Sequence, residues 1–488
     1  MPTPVAPLPS LALHAEPFAA DVLARALDAR DARFDGVFFV GITSTRIYCR
    51  PVCPARVSYP DRRRFFLSAA AAERAGYRPC LRCRPELAPG CSPVDAVARL
   101  AHDAARHIAA GALNDHPVTD LARTLGVSAR HLRRAMRRAL GVSPVELAQT
   151  HRLLLAKRLL VDTALPVTQV AYASGFRSLR RFNATFHARY RMPPGALRRA
   201  PRANGLTPRA DTDAPPPPLR LTLAYRAPFA WDALLAALRA DVVDGVDVVE
   251  ARHYGRTIEL DGHRGVVFVQ DVPRKSHVAV DVSPSLAPAL MPLLARLRRL
   301  LDLDAEPATI DAHLAAGGLA AHVAARPGLR APGTVDGFEV ALRTILRGRA
   351  RDVVEALGEP LATRHPALRR LTPDAHRVAS AGAVRLTALG VPNGRATALV
   401  GVARLVADGA LRLEPGSPPA ATRRTLVSIP GVGERVATLI VARALAWPDV
   451  CPDRTLLDAV ERCRPWRAYA ALHLRLAAHT TPRLSRAG

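Results

Sequence analysis

The spacing of apolar positions divides the chain into stretches of different character. Residues 1–14 are rich in proline, show no periodicity and are predicted to be a disordered tail. From Pro93 to about Ala200 the apolar residues recur at helical spacing. Within that region VTDLARTLGVSARHLRRAMRRALGVSP (118–144) reads as helix, turn, helix. Leu121 and Ala122 begin an apolar stripe, Gly126 makes the turn, and Ser128 is placed to cap the second helix. PVTQVAYASGFRSLRRFNATFHARYRMPP (166–194) repeats the pattern, with Gly175 at the turn and Ser178 before the second helix. A helix at about 143–161 joins the two units. Leu132, Phe182 and Phe186 are assigned to the core. PRANGLTPRADTDAPPPPL (201–219) breaks every periodicity, and its prolines favour an extended, semi-rigid linker. LRLTLAYRAPF then alternates as a strand does, as do IELDGHRGVVFVQDV and SHVAVDVS. From Leu286 helical spacing returns and runs to the end.

A multidomain α+β chain is expected. Its segments are a tail at 1–14, a small α/β domain at 15–90, an all-α domain at 91–200, a linker at 201–218, an antiparallel-sheet α+β domain at 219–305, and an all-α domain at 306–488. With 488 residues the chain exceeds what one hydrophobic core can serve. No run of about 18 apolar residues is free of charge, so no membrane-spanning helix is predicted. The first residues lack a basic stretch followed by an apolar one, so no signal peptide is expected. The formal charge of +27 points to a polyanionic partner, with nucleic acid first. Only Lys157 and Lys275 are lysines; the abundance of Ala, Arg and Pro matches the coding bias of a GC-rich genome and accounts for part of that excess.

Seven cysteines, an odd number, fit metal binding or reactive thiols in a reducing cytosol better than a disulfide framework. The spacing Cys49-x3-Cys53 and Cys80-x2-Cys83 supplies two close pairs, as a tetrahedral all-thiolate zinc site requires. From spacing alone the plainer assignment is a structural zinc. The flanking strings FFVGITSTRIYCRPVCPARVSYPDRRRFF and ERAGYRPCLRCRPE resemble the N-terminal domain of the Ada-type methylphosphotriester methyltransferases over about residues 30–88. The resemblance implies Zn2+ held by Cys49, Cys53, Cys80 and Cys83. It implies that Cys49, first in YCRPVC, takes the methyl group from a DNA methylphosphotriester. It also implies DNA-backbone contacts by Thr45, Arg56 and Arg78. Four thiolates on one zinc carry a net charge of about −2, which keeps sulfur nucleophilic at neutral pH. Methylation removes one negative charge, so repulsion from DNA phosphates falls and binding tightens.

The paired helix-turn-helix units, with Gly175-Phe176 and the closing MPPGALR, resemble the AraC-type DNA-binding domain. That resemblance implies two recognition helices entering successive major-groove segments, with Ser128, Arg130, His131, Arg134, Ser178, Arg180 and Arg181 at the DNA. The plainer alternative is an arginine-coated bundle without sequence preference. The Pro-Cys-His-Arg string of O6-alkylguanine transferases does not occur.

In LVSIPGVGERVATLIVARAL (426–445), Gly431 and Gly433 permit a tight hairpin whose N–H groups can face a phosphate. This resembles the helix-hairpin-helix of DNA glycosylases. LTLAYRAPFAW (221–231), ARPGLRAPGTVDGFEVALRTIL (325–346) and RPWRAYAALHL (464–474) extend the likeness to AlkA-type 3-methyladenine glycosylases over about 219–480. That family flips an alkylated base out of the duplex and uses one aspartate to stabilise an oxocarbenium-like sugar. In WPDVCPDRTLLDAV an ungapped match puts Thr455 at the aspartate's position. A two-residue deletion puts Asp453 there and Leu456 on the following apolar site; Asp453 is preferred. Its plainer role is to cap a helix starting at Arg454. The family's aromatic pocket positions are occupied by Arg435, Leu439 and Arg475, Arg347-Gly348-Arg349 replaces its wedge-bearing segment, and the stretch from Leu457 to Arg464 is shorter than usual. Arg435 cannot form a Schiff base, so lyase chemistry is not expected. Cys451 and Cys463 are too few for an iron–sulfur cluster.

The resemblances together imply an alkylation-repair enzyme and adaptive-response regulator. It would demethylate phosphotriesters, activate repair genes and excise alkylated purines. Its expected partners are alkylated and promoter double-stranded DNA and RNA polymerase. The chain is expected to be a cytoplasmic, nucleoid-associated monomer. The rival is an AraC-type regulator with structural zinc and an inactive glycosylase half.

Overall fold

The structure is a computed structural model that describes residues 20–31, 34–55, 59–66, 68–88, 96–198 and 217–480. The predicted tail, residues 201–216 of the predicted linker, Arg56 and Cys91 lie outside these residues. Among the described residues no helix is long and apolar enough to cross a membrane.

The first unit places α1 (Ala20–Asp28) against a small sheet of β1 (Phe39–Ile42), β2 (Ile47–Cys49), β3 (Arg63–Phe66) and β4 (Arg78–Pro79), in the order β3-β1-β2-β4. Residues Leu23, Ala26 and Leu27 of α1 bury with Phe38 and Val40 around the four cysteines. Between β3 and β4 runs α2 (Ala69–Arg74), capped by Ser68, whose hydroxyl accepts from the Ala71 N–H.

Six helices follow: α3 (Ala96–Ala109), α4 (Val118–Thr124), α5 (Ala129–Leu140), α6 (Pro144–Asp162), α7 (Val167–Ala173) and α8 (Leu179–Tyr190). A short α9 (Pro194–Arg198) closes the unit. Helix α6 starts in a capping box, with Ser143 and Glu146 each accepting from the other's backbone N–H. Gly175 turns the second helix-turn-helix at φ +84°, and a Cβ there would lie 2.5 Å from the Asn114 side chain. That combination of hand and crowding admits only glycine. Leu132, Phe182 and Phe186 are fully buried, as their spacing predicted.

The second half opens with an antiparallel sheet of β5 (Leu219–Ala224), β6 (Asp247–Glu250), β7 (His253–Leu260), β8 (His263–Val272) and β9 (His277–Val282), in the order β5-β9-β8-β7-β6. Helices α10 (Trp231–Arg239) and α11 (Leu290–Leu300) accompany it. The remaining helices are α12 (Pro307–Leu314), α13 (Ala320–Ala325), α14 (Gly337–Leu346), α15 (Ala350–Leu357), α16 (Ala375–Ala388), α17 (Asn393–Ala407), α18 (Pro419–Val427), α19 (Glu434–Ala444), α20 (Leu457–Val460) and α21 (Arg467–Thr480). A buried ionic group ties sheet to helices. Arg256 of β7 reaches Glu339 of α14 at 2.8 Å, and Arg343 of α14 reaches Asp247 of β6 at 2.6 Å.

Two features bind the units to one another. One apolar core runs from Leu153, Leu160, Phe176 and Phe186 of the helical unit into Leu221, Val267, Val280 and Leu290 of the sheet unit. Charged side chains fix the four-cysteine unit to α6. Glu73 of α2 accepts from Tyr48 at 3.0 Å and from Thr150 at 2.8 Å, and faces Arg189 of α8 at 3.4 Å. Lys157 of α6 donates to the Cys80 carbonyl at 3.0 Å and to Glu86 at 2.8 Å. Arg84 grips Asp162 through two hydrogen bonds of 2.9 and 2.8 Å.

Burial pushes the Glu73 carboxyl above its ordinary range, against the opposing pull of Arg189. The Glu73→Gln variant keeps the shape but turns one of the two oxygens that accept from hydroxyls into a donor. We expect it to destabilise this junction by about 1–3 kcal/mol. The loss should appear as faster amide hydrogen exchange in α2 and α6, with α14 to α19 unchanged.

Candidate metal centre and nucleic-acid interface

Strand pairing builds the four-cysteine centre. β2 and β4 run parallel, with Tyr48 opposite Pro79, and the Cys80 N–H donates to the Tyr48 carbonyl at 3.0 Å. Cys49 and Cys80 therefore leave adjacent strands at the same level. Cys53 follows Cys49 through a turn in which its N–H donates to the Arg50 carbonyl. The four sulfurs lie within 4.8 Å of one another. A tetrahedral zinc with Zn–S bonds of about 2.3 Å needs sulfurs about 3.8 Å apart, so the residues present fit the ion. All four cysteines are 6–9% exposed, so burial does not single out a reactive one.

Polar groups around the sulfurs favour the charged form. The Arg50 N–H donates to Cys83 Sγ and the Arg82 N–H to Cys80 Sγ, each at 3.4 Å. The four thiols hydrogen-bond one another, so without an ion their protons come off as a coupled set rather than residue by residue. The Arg50 side chain spans the centre's flank, donating to Asp35 Oδ1 at 2.8 Å and to the Cys83 carbonyl at 3.2 Å. Thr45 sits exposed in the turn between β1 and β2. Its neighbour Arg46 accepts at the carbonyl from the half-buried Arg78 at 2.8 Å, so Thr45 and Arg78 share one edge.

The two helix-turn-helix units repeat each other in burial. In α5, Leu132 and Met136 are buried, while Arg130, His131, Arg133, Arg134, Arg137 and Arg138 are exposed. In α8, Phe182 and Phe186 hold the equivalent inward positions, and Arg180, Arg181 and Asn183 are exposed. Ser128 and Ser178 are exposed caps, accepting from the His131 and Arg181 N–H groups at 3.2 and 3.3 Å.

In the second half the glycine hairpin joins α18 to α19. Gly431 adopts φ +86°, and a Cβ there would lie 2.6 Å from the Gly394 carbonyl. Gly433 is the exposed N-cap of α19. Asp453 caps the short turn Arg454–Leu456. Its Oδ1 accepts from the Thr455 N–H at 3.2 Å and from the Thr455 hydroxyl at 2.8 Å. The two residues left open by sequence matching thus form one hydrogen-bonded unit. Arg475 of α21 approaches Asp453 Oδ2 at 3.9 Å. Hydrogen bonds from Thr455, then the charges of Arg475 and Arg435, hold this carboxyl below the usual range. Arg347–Arg349 form an exposed turn between α14 and α15, with Arg347 at φ +53°. Cys451 and Cys463 are free thiols.

Sequence reasoning missed the residues that hold the metal centre to α6, namely Tyr48, Glu73, Glu86, Lys157 and Asp162. One signal was available: Lys157 is a lysine in a chain that otherwise uses arginine almost throughout.

Comparison with known proteins follows the same division. The family model for the metal binding domain of Ada matches residues 23–86, a helix-turn-helix domain matches 121–200, and the AlkA N-terminal domain matches 220–336. A probable bifunctional transcriptional activator/DNA repair enzyme AlkA of Mycobacterium tuberculosis is 35% identical over 480 residues, covering 92% of this chain and 95% of the relative. DNA-3-methyladenine glycosylase 2 of Escherichia coli is 32% identical over 278 residues, covering 52% of this chain and 95% of the relative. The bifunctional transcriptional activator/DNA repair enzyme AdaA of Bacillus subtilis is 27% identical over 176 residues, covering 36% of this chain and 80% of the relative. The chain belongs to the family of bifunctional transcriptional activator and DNA repair enzymes of the Ada and AlkA type, with Zn2+ as the cofactor of its four-cysteine centre.

Proposed function

We propose that this protein repairs alkylated DNA by two separate chemistries and activates transcription of repair genes. The observation that carries the first chemistry is the buried cluster of four sulfurs within 4.8 Å. When bound, zinc keeps these sulfurs ionised at neutral pH. The Cys49 thiolate attacks the methyl carbon of a DNA methylphosphotriester in line. An S–C bond forms, the C–O bond breaks, and its electron pair leaves on the restored phosphodiester. Thr45, Arg56 and Arg78 hold the DNA backbone, the two arginines by charge. The transfer lowers the negative charge of the centre by one, and DNA binding by α5 and α8 strengthens. Ser128, Arg130, His131, Arg134, Ser178, Arg180 and Arg181 make the promoter contacts. The activated monomer works with RNA polymerase at the nucleoid of the cytoplasm.

The second chemistry is hydrolytic release of alkylated purines. Backbone N–H groups at Gly431 and Gly433 hold a phosphate. The Asp453 carboxylate, oriented by the Thr455 hydroxyl, stabilises positive charge on the sugar as the base departs. One observation favours the rival reading of an inactive glycosylase half: Asp453 caps the turn Arg454–Leu456, a role that needs no chemistry.

Three experiments test these assignments. After incubation with methylated DNA, intact mass analysis should show one CH2 increment on the peptide holding Cys49, and none in Cys49→Ser. An unmodified Cys49 peptide overturns the transferase. Chelation of zinc should abolish transfer and speed amide exchange across residues 38–83, because the metal supplies stability this small unit lacks. For the glycosylase, Asp453→Asn should slow base release by about 100-fold or more. Because Asp453 titrates below the usual carboxylate range, it stays ionised through that range, and activity that depends on it should fall only at pH below it. Loss of activity in Thr455→Ala with activity kept in Asp453→Asn would reverse the assignment.

A further inference from the structure

We propose that Arg475, assisted by Arg435, makes the glycosylase site select damaged purines by charge, favouring neutral damaged bases over those that carry a fixed positive charge. The inference rests on the reading of Asp453 as the working carboxylate. Arg475 Nη2 lies 3.9 Å from Asp453 Oδ2, near enough for charge but too far for a hydrogen bond. That nitrogen is shielded from solvent and has no hydrogen-bond partner among the described residues, although a third of the side chain is exposed. A shielded guanidinium N–H without an acceptor is costly, and an incoming acceptor relieves it. Arg435 stands exposed on the first turn of α19, and its charge reaches the same carboxylate.

A purine placed against Asp453 therefore meets two positive charges. A base alkylated at ring nitrogen N3 or N7 carries a formal positive charge, and both arginines repel it. A cyclised etheno-purine or an oxo-purine is neutral and offers lone pairs to Arg475. In either case the C1′–N9 bond breaks, its electron pair goes with the base and water oxygen bonds to C1′; a cationic base thereby leaves neutral and the water proton passes to solvent, whereas a neutral base leaves as an anion and takes that proton. The arginines alter which base is bound next to that bond, not the balance of the step.

The test uses the full-length zinc protein under single-turnover conditions on duplexes holding one 1,N6-ethenoadenine, one hypoxanthine or one 7-methylguanine. The ratio of neutral to cationic release is taken within each preparation, so a partly unfolded variant does not disturb it. The wild-type ratio should exceed one. In Arg475→Met it should fall by about tenfold or more, the scale expected for removing a unit charge a few ångströms away. In Arg475→Lys, which keeps the charge, it should stay within about threefold of wild type. An unchanged ratio in Arg475→Met overturns the selectivity and leaves the glycosylase standing. Absence of release of all three bases by the wild-type protein overturns the reading of Asp453, and the selectivity with it.

Discussion

Lys157 is 1% exposed, and an ammonium group so deeply placed is tolerated only where anionic and carbonyl oxygens surround it. Its two partners flank the last ligand, Cys83, in sequence. The Cys80 carbonyl belongs to a ligand residue, and Glu86 follows the last ligand by three positions. The position of α6 is thus set by the backbone of the zinc loop. Because α6 joins both helix-turn-helix units, a displacement of that loop would be felt by α5 and α8 together. Glu73 adds a second tie from the opposite side, linking Tyr48, the residue before Cys49, to Thr150 of α6 and Arg189 of α8. A rigid, polar and solvent-excluded junction transmits small shifts because unpairing any member is costly.

The same helix faces the other way into a shared apolar core. Residues of α6 to α8 pack into one cluster with the strands and helix α11 of the second half. Asn114 adds a polar link, accepting from Arg152 at 2.8 Å and donating to Met291 Sδ at 3.3 Å. Arg226, just past β5, donates to the Asp35 carbonyl beside the zinc unit at 3.1 Å. The described parts of the two halves are thus placed against each other by packing and by these polar links.

What was legible in the chain was local. The Gly126 and Gly175 turns, the Ser128 and Ser178 caps and the inward Phe182 and Phe186 depend on a few neighbouring residues, and period and cap chemistry reveal them. The cysteine spacing foretold the cluster because each pair is local and the ion dictates the rest. The junction was not legible. Glu86 and Lys157 lie far apart in sequence, and neither carries a motif. Nothing in an arginine-rich composition announces which charges are buried. Asp453 stayed ambiguous for another reason. Spacing in the shortened stretch does not separate it from Thr455, and in the fold the two share a hydrogen bond.

Charge has to act at short range here. A net +27 draws DNA of any sequence, and ions screen that attraction beyond about 8–10 Å. Against that background one unit of charge lost at the metal centre is small for the whole molecule but large for phosphates within one screening length. The two anions to which the proposed function assigns chemistry sit in different surroundings. A thiolate that attacks carbon without a general base gains from losing its water shell, and the four cysteines are 6–9% exposed. A carboxylate that works alongside an attacking water must stay open to it, and the Asp453 side chain is 28% exposed. Arginines serve each differently. Arg50 braces the metal loop through Asp35 and the Cys83 carbonyl, without touching sulfur with its side chain. Arg475 approaches the Asp453 carboxylate itself, and its charge helps keep that group ionised.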